Sequence, residues 1–336
     1  MAQSRTSSGP IGYAAYESRV IDGLWRYAKT SLINGRDLLD SSERRGVRPP
    51  VLRKHAVEHN LLYPPDANDE LRKRILDTLP AKSRHRYFES LRSSQALAQS
   101  VFGGLKCLNK LESLRGLADD TGLPAFAGDL SGANPILEYE VDCLGEPRRT
   151  SVDVWFDLGT RIAVECKFTE ADFGRCSRPE LREGRDSNFE KDYCDGSYSR
   201  QRGRSSRCAL TEIGVEYWRY VPDLSNWRAE TDLATCPIRF TYQIVRNLLA
   251  ACVRPDGTVV PDGGYALVIY DARNPAFQSG GPADGQWRKA KESLKRPECL
   301  RRCSWQSLAA HLARDSDLDW LNAGLASKYG IMPALR

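Results

Sequence analysis

The chain has 336 residues, of which 41% are hydrophobic and 28% charged, and its formal net charge at pH 7 is +5. A chain of this length and composition can bury one large core or two moderate ones, which excludes both a disulfide-dependent miniprotein and a wholly disordered protein. The N-terminus MAQSRTSSGP lacks an apolar core, and no apolar run reaches the length of a membrane span, so we expect a cytoplasmic protein without membrane contact.

The first 80 residues are expected to be a helical N-terminal extension, with helices at 16–34 and 49–62. The second helix contains His55-Ala56-Val57-Glu58-His59, which fits the His-x-x-Glu-His pattern of inverted zinc metallopeptidases. On an α-helix the two histidines would share a face and bind Zn²⁺ while Glu58 activated a water molecule. The charged neighbours and the Pro-Pro pair that follows favour a solvated histidine pair over a peptidase site.

Residues 81–279 are expected to form a mixed α/β domain with a central mixed sheet flanked by helices. The hydrophobic periodicity predicts, in chain order, a helix at 87–105, a strand at 136–142, a hairpin within 151–168, a helix at 238–253 and a strand at 264–271. The last strand, GYALVIYD, is a nearly unbroken apolar run, which is typical of a strand covered on both faces.

The hairpin SVDVWFDLGTRIAVECKF carries the most informative pattern in the chain. Most of its apolar residues fall on even positions in both strands, so the two apolar sets share a face only if even residues pair with even residues. This register requires a loop with an odd number of residues, such as a three-residue loop with Gly159 at positive φ. Asp153, Glu165 and Lys167 then meet on the opposite, polar face, which also carries Asp157.

Two carboxylates on one sheet face are suited to holding Mg²⁺ or Mn²⁺, which prefer oxygen ligands. A metal bound by Asp153 and Glu165 would activate water and polarise a phosphodiester, and the Lys167 ammonium would stabilise charge on the phosphoryl oxygens. The strand at 136–142 could add a further carboxylate, either Glu138 or Glu140. The simpler interpretation is an ordinary ion pair on a solvated sheet face.

Asp153 followed by Glu165-Cys166-Lys167 resembles the acidic residue and Glu-x-Lys of the PD-(D/E)XK, or restriction endonuclease-like, superfamily. The order of predicted elements from about 84 to 274 is similar to its core. Short motifs at 93–96 (SSQA), 165–170 (ECKFTE) and 242–247 (YQIVRN) are similar to those of a bacterial branch of this superfamily.

The resemblance implies a metal-dependent endonuclease. Asp153 and Glu165 would bind Mg²⁺ or Mn²⁺, and Lys167 would assist water attack on duplex or single-stranded DNA during restriction, phage defence or repair. Because cutting both strands of a duplex commonly needs two symmetric sites, a homodimer is expected. The competing hypothesis is an inactive nucleic-acid-binding module on the same fold, although all three catalytic residue types are intact.

An insertion at 170–236 is rich in arginine and cysteine. Five arginines are expected to contact the nucleic-acid backbone: Arg175, Arg178, Arg200, Arg202 and Arg204. Few apolar residues are available to order this segment, so Zn²⁺ or an iron–sulfur cluster bound by its thiols is a candidate for ordering it. The thiols are Cys176, Cys194, Cys208 and Cys236, and the chain contains no Cys-x-x-Cys pair.

The final residues, 280–336, are expected to be a helical C-terminal extension, with helices at 304–313 and 318–329. Cys299 and Cys303 precede them at a spacing of one helical turn.

Overall fold

A five-stranded mixed sheet in the order β1-β2-β3-β4-β5 organises the protein. The computed structural model describes residues 12–32, 35–40, 48–180, 193–201 and 203–334. The strands are β1 Ile136–Glu140, β2 Ser151–Asp157, β3 Arg161–Cys166, β4 Gly264–Tyr270 and β5 Leu300–Ser304. The first three strands are antiparallel and the last two continue the sheet in parallel, so the predicted mixed α/β class is confirmed.

The β2–β3 hairpin has the predicted register. Val154 pairs with Val164 and Phe156 with Ile162, so even residues face even residues across the ladder. The loop between the strands has three residues, and Gly159 within it has φ = +80°. All four of these apolar side chains are buried, which fixes the register because a slip by one residue would expose them.

Helices cover the sheet and close the hydrophobic core around it. Their bounds are α1 Tyr13–Thr30, α2 Gly35–Leu38, α3 Asp69–Asp77, α4 Ser94–Ala98, α5 Gly104–Cys107, α6 Ala209–Glu212, α7 Tyr217–Leu224, α8 Tyr242–Cys252, α9 Pro282–Ser293, α10 Trp305–Leu312 and α11 Asp319–Tyr329. Helix α8 is the crossover between the parallel strands β3 and β4 and packs on both. Within the described residues, no helix combines the length and apolarity needed to cross a lipid bilayer.

Both predicted extensions contribute to packing around the sheet. The hydroxyl of Tyr16 in α1 donates to the carbonyl of Phe168, 2.8 Å away, and to Oδ2 of Asp271, 3.0 Å away. Helix α1 also packs against α11. The segment 280–336, expected to be a helical extension, also contains strand β5, because residues 300–304 pair with β4 as an edge strand.

Two of the expected helices have different bounds or a different type. The helix expected at 87–105 begins only at Ser94, where the Ser93 side chain caps the helix by accepting the Ala96 N–H, and a π-helical turn at Gln99–Gly103 separates α4 from α5. The α-helix expected at 49–62 is a 3₁₀ helix at Lys54–Asn60. In both segments local turns replace part of the regular α-helix that the hydrophobic periodicity predicted.

Candidate functional site

The hairpin brings Asp153, Glu165 and Lys167 together on the polar face of the sheet. Oδ2 of Asp153 accepts the backbone N–H of Cys166 at 2.6 Å, which holds this carboxylate against strand β3. Nζ of Lys167 lies 2.9 Å from Oε1 of Glu165. Glu165 and Lys167 are each only 4% exposed, so this is a buried ion pair and the solvated-face interpretation is wrong.

Helix α8 supplies three side chains to the site that the sequence interpretation left without a role. Oε1 of Gln243 accepts a hydrogen bond from Nζ of Lys167 at 2.7 Å. Nδ2 of Asn247 donates to Oε2 of Glu165 at 2.7 Å, and the Arg246 guanidinium lies 3.8 Å from the same oxygen. Their spacing in the sequence could have identified them, because positions 243, 246 and 247 lie on one face of a helix.

Of the two glutamates considered on β1, the structure places Glu138 at the site. Glu138 lines the same cleft as Asp153 and Glu165 and accepts a hydrogen bond from the Ser151 hydroxyl. Its backbone has φ = +51°, a left-handed conformation that is rare for a residue with a side chain. Glu140 is exposed and instead lies 3.8 Å from Arg149.

The carboxylates differ in their protonation behaviour. Burial, with the negative charges of Glu165 and Glu138, raises the pKa of Asp153 well above its usual range. Burial also raises the pKa of Glu138, and Glu165 adds to that effect. Although burial opposes it, the positive charges of Lys167 and Arg246 lower the pKa of Glu165. When ionised, these three carboxylates together carry more negative charge than Lys167 and Arg246 neutralise.

These carboxylates fit a divalent cation that takes only part of its coordination from the protein. The excess negative charge at Glu138, Asp153 and Glu165 is what a hard cation would compensate, and carboxylate oxygens are its preferred ligands. Within the described residues, however, no three His, Cys, Asp or Glu side chains are grouped closely enough to hold a metal ion as they stand. A cation at Asp153 and Glu165 would therefore need water or substrate oxygens to complete its coordination.

The site lies in a cleft of about 1260 Å³. Besides the residues already named, its walls carry basic and aromatic side chains that suit a phosphate backbone: Tyr13, Arg48, His85, Tyr87, Arg92 and Arg149. Of these, Tyr87 is 56% exposed. Acidic residues share the walls, including Glu17 and Glu170, so the cleft is mixed in charge rather than uniformly basic.

Of the arginines predicted to bind nucleic acid, the four that the structure describes do not line this cleft. Arg175 pairs with Asp172 across 3.0 Å, and the Arg178 guanidinium lies 5.8 Å from the ring centroid of Tyr193. Arg200 is exposed, Arg204 is half-buried, and Arg202 lies outside the described residues. Nucleic-acid contact by these arginines stays a prediction.

The structure treats the other two candidate metal sites, the histidine pair and the four cysteines, differently. His55 and Glu58 are exposed, and on the 3₁₀ helix residues four apart point about 120° away from each other, so the shared histidine face expected for a zinc metallopeptidase is absent. Cys176, Cys194, Cys208 and Cys236 instead line one small cavity away from the cleft.

A family model described as restriction endonuclease associating with ARP matches residues 21–330. The match spans the whole sheet and includes Asp153, Glu165 and Lys167. No curated protein and no solved structure matches the chain.

Proposed function

Because the chain belongs to the family of restriction endonucleases associating with ARP, we propose that it is a divalent-metal-dependent nuclease that hydrolyses DNA phosphodiester bonds. The observation that carries this proposal is the meeting of Asp153, Glu165 and Lys167 on one face of the hairpin, at the floor of a cleft. Each of these residue types has a distinct task in phosphodiester hydrolysis.

Asp153 and Glu165 would hold Mg²⁺ or Mn²⁺, which when bound lowers the pKa of an attacking water and polarises the phosphodiester. Lys167 keeps its proton, because Glu165 raises its pKa although burial opposes this effect. Its ammonium, held by Glu165 and Gln243, is available to stabilise negative charge that develops on the phosphoryl oxygens. Asn247 fixes the orientation of the Glu165 carboxylate.

DNA is the proposed substrate and restriction, phage defence or repair the proposed role, in the cytoplasm. Arg48, Arg92 and Arg149 on the cleft walls would contact the phosphate backbone without reading sequence, so binding should weaken as salt rises. Cutting of both strands would be favoured by a homodimer with two symmetric sites.

The direct test is cleavage of supercoiled plasmid and of single-stranded DNA with Mg²⁺ or Mn²⁺. Glu165→Ala and Lys167→Ala should each lose at least about 100-fold in rate, because each removes charge that acts on the reacting phosphate. Asp157→Asn is the matched control, since Asp157 ends strand β2 of the same hairpin but is exposed and lies outside the cleft. Equal activity in all four proteins would place the chemistry elsewhere.

One observation favours the alternative of an inactive binding module. Both oxygens of Glu165 already have side-chain partners, Lys167 at Oε1 and Asn247 at Oε2, so a cation must share them. DNA binding that is retained without cleavage in either metal would support the module and contradict the proposed enzyme.

A further inference from the structure

Four cysteines from well-separated parts of the chain converge in the insertion that follows β3. Cys176, Cys194, Cys208 and Cys236 line one enclosed cavity of about 10 Å³. None of the four lines the catalytic cleft. The chain between the first and last of them spans 60 positions, so only tertiary structure brings the thiols together.

Backbone hydrogen bonds hold the loops that carry these thiols. The N–H of Cys176 donates to the carbonyl of Arg239, and the N–H of Cys194 to that of Arg178, each at 2.9 Å. The N–H of Cys236 donates to the carbonyl of Gly196, also at 2.9 Å. The loops that carry Cys176, Cys194 and Cys236 are therefore hydrogen-bonded to one another.

All four sulfurs share one local feature. Each is approached by the backbone N–H two residues further along the chain, which belongs to Arg178, Gly196, Leu210 and Ile238 respectively. A neutral thiol is a weak acceptor, and such a donor stabilises a thiolate far more than a thiol. The same turn repeated at four cysteines is the arrangement expected around anionic sulfur.

A buried guanidinium provides an independent observation beside the cluster. Among the described residues, Nη1 and Nη2 of Arg204 are buried and have no hydrogen-bond partner. The Arg204 charge acts on both Cys194 and Cys208, which places it near these sulfurs. A positive group with unsatisfied donors at this place suits an anionic centre, since four thiolates around a divalent ion carry a net charge of −2.

We propose that Cys176, Cys194, Cys208 and Cys236 bind one structural Zn²⁺ ion that orders the insertion after β3. Binding forms four Zn–S bonds, and the four thiol protons leave to solvent. The thiols stand too far apart to ligate as they are, because no group of three His, Cys, Asp or Glu side chains among the described residues could hold a metal. The ion would draw them inward around the cavity, to Zn–S distances of about 2.3 Å.

The cavity favours a single ion over an iron–sulfur cluster. Its volume of about 10 Å³ is of the order of one water molecule, whereas a cluster adds several iron and sulfide atoms within the ring of thiolates. Four-coordinate thiolate sites without an open position are typical of structural rather than catalytic zinc. This inference does not depend on the proposed nuclease activity.

The test is the metal content of the full-length protein, purified without chelator and measured by elemental analysis. We expect about one zinc per chain in the wild type and less than about a tenth of that in Cys176→Ser and Cys236→Ser. Cys143→Ser is the matched control, because Cys143 is a half-buried cysteine outside the cluster, and it should keep its zinc. Wild-type protein without metal, two to four irons per chain, or disulfides among these cysteines would each overturn the proposal.

A second measurement needs no variant and so does not depend on whether the serine variants fold. Replacing the zinc of the wild type by Co²⁺ should give the intense visible and near-ultraviolet absorption of a tetrahedral cobalt–thiolate site. Cobalt absorption without thiolate bands would contradict four-sulfur ligation. Glu165→Ala should retain both the zinc and the cobalt spectrum, which separates this site from the catalytic one.

Discussion

Asn247 of helix α8 donates a hydrogen bond of 2.7 Å to Oε2 of Glu165, a residue of strand β3. The amide is itself oriented, because the Arg246 guanidinium donates to Oδ1 of Asn247 from Nε at 3.1 Å and from Nη2 at 2.9 Å. The helix that crosses between the two parallel strands thus fixes the carboxylate on the hairpin. Asn247 is fully buried, so water cannot replace it.

The first prediction follows from this contact. Asn247→Ala should lower the cleavage rate by about 10-fold to 100-fold and raise the Mg²⁺ concentration for half-maximal activity, because Glu165 loses the partner that orients it. The measurement is plasmid cleavage across a metal titration. Tyr242→Phe is the control on the same helix, since its hydroxyl contacts Glu146 and not the site. Equal metal requirements in both variants would argue against a positioning role.

The second prediction concerns stability and pH in metal-free protein. The folded-state pKa of Asp153 lies well above the unfolded value, so the stability it contributes is present below the unfolded pKa and is lost as pH rises through the folded pKa. Asp153→Asn removes this loss and should raise the melting temperature near pH 7, with a smaller gain near pH 4. The measurement is thermal unfolding with chelator across this pH range.

A control of opposite sign accompanies that experiment. The Ser131 N–H lowers the pKa of Asp129, so the stability contributed by this exposed residue is present above its unfolded pKa and is lost as pH falls through its folded pKa. Asp129→Asn should therefore give no gain near pH 7. An Asp153→Asn protein that is less stable than wild type at pH 7 would contradict the excess of negative charge at the site.

The third prediction separates the two glutamates of β1. Glu138→Gln should raise the Mn²⁺ concentration needed for half-maximal binding by about 10-fold, because Glu138 adds negative charge to the cleft beside Glu165. Glu140→Gln is the matched control on the same strand, since Glu140 is exposed and faces Arg149. Direct Mn²⁺ binding by electron paramagnetic resonance is the measurement. Identical binding by the two variants would remove Glu138 from the site.

The fourth prediction tests the hairpin turn. Gly159 has φ = +80°, and a Cβ atom there would meet nothing within 4 Å, so the cost of a side chain is conformational. Gly159→Val should lower the free energy of unfolding by about 1 to 2 kcal/mol, and Gly159→Asn by less. Gly23→Ala, at an equally open glycine within helix α1, should instead raise it by about 0.5 to 1 kcal/mol. Chemical denaturation measures all three.

The hairpin was predictable because its information is local. Alternation in 152–156 and 162–168 defines which residues share the apolar face, and a loop with an odd number of residues around Gly159 lets both strands satisfy it. Strand β5 was not predictable in the same way. Its sequence LRRCS has no clear alternation, and it becomes a strand because the free edge of β4 is available for pairing.

The placement of Asp153, Glu165 and Lys167 follows from the residues alone, since a period of two fixes the side of the strand that each occupies. The helix and the buried strand that come later in the chain follow from local patterns in the same way. Packing between distant segments brings Gln243 and Asn247 to Lys167 and Glu165, places Glu138 rather than Glu140 at the cleft, and gathers four cysteines around one cavity. These are contacts between segments far apart in the chain, and their partners are selected by packing rather than by any local pattern of residues.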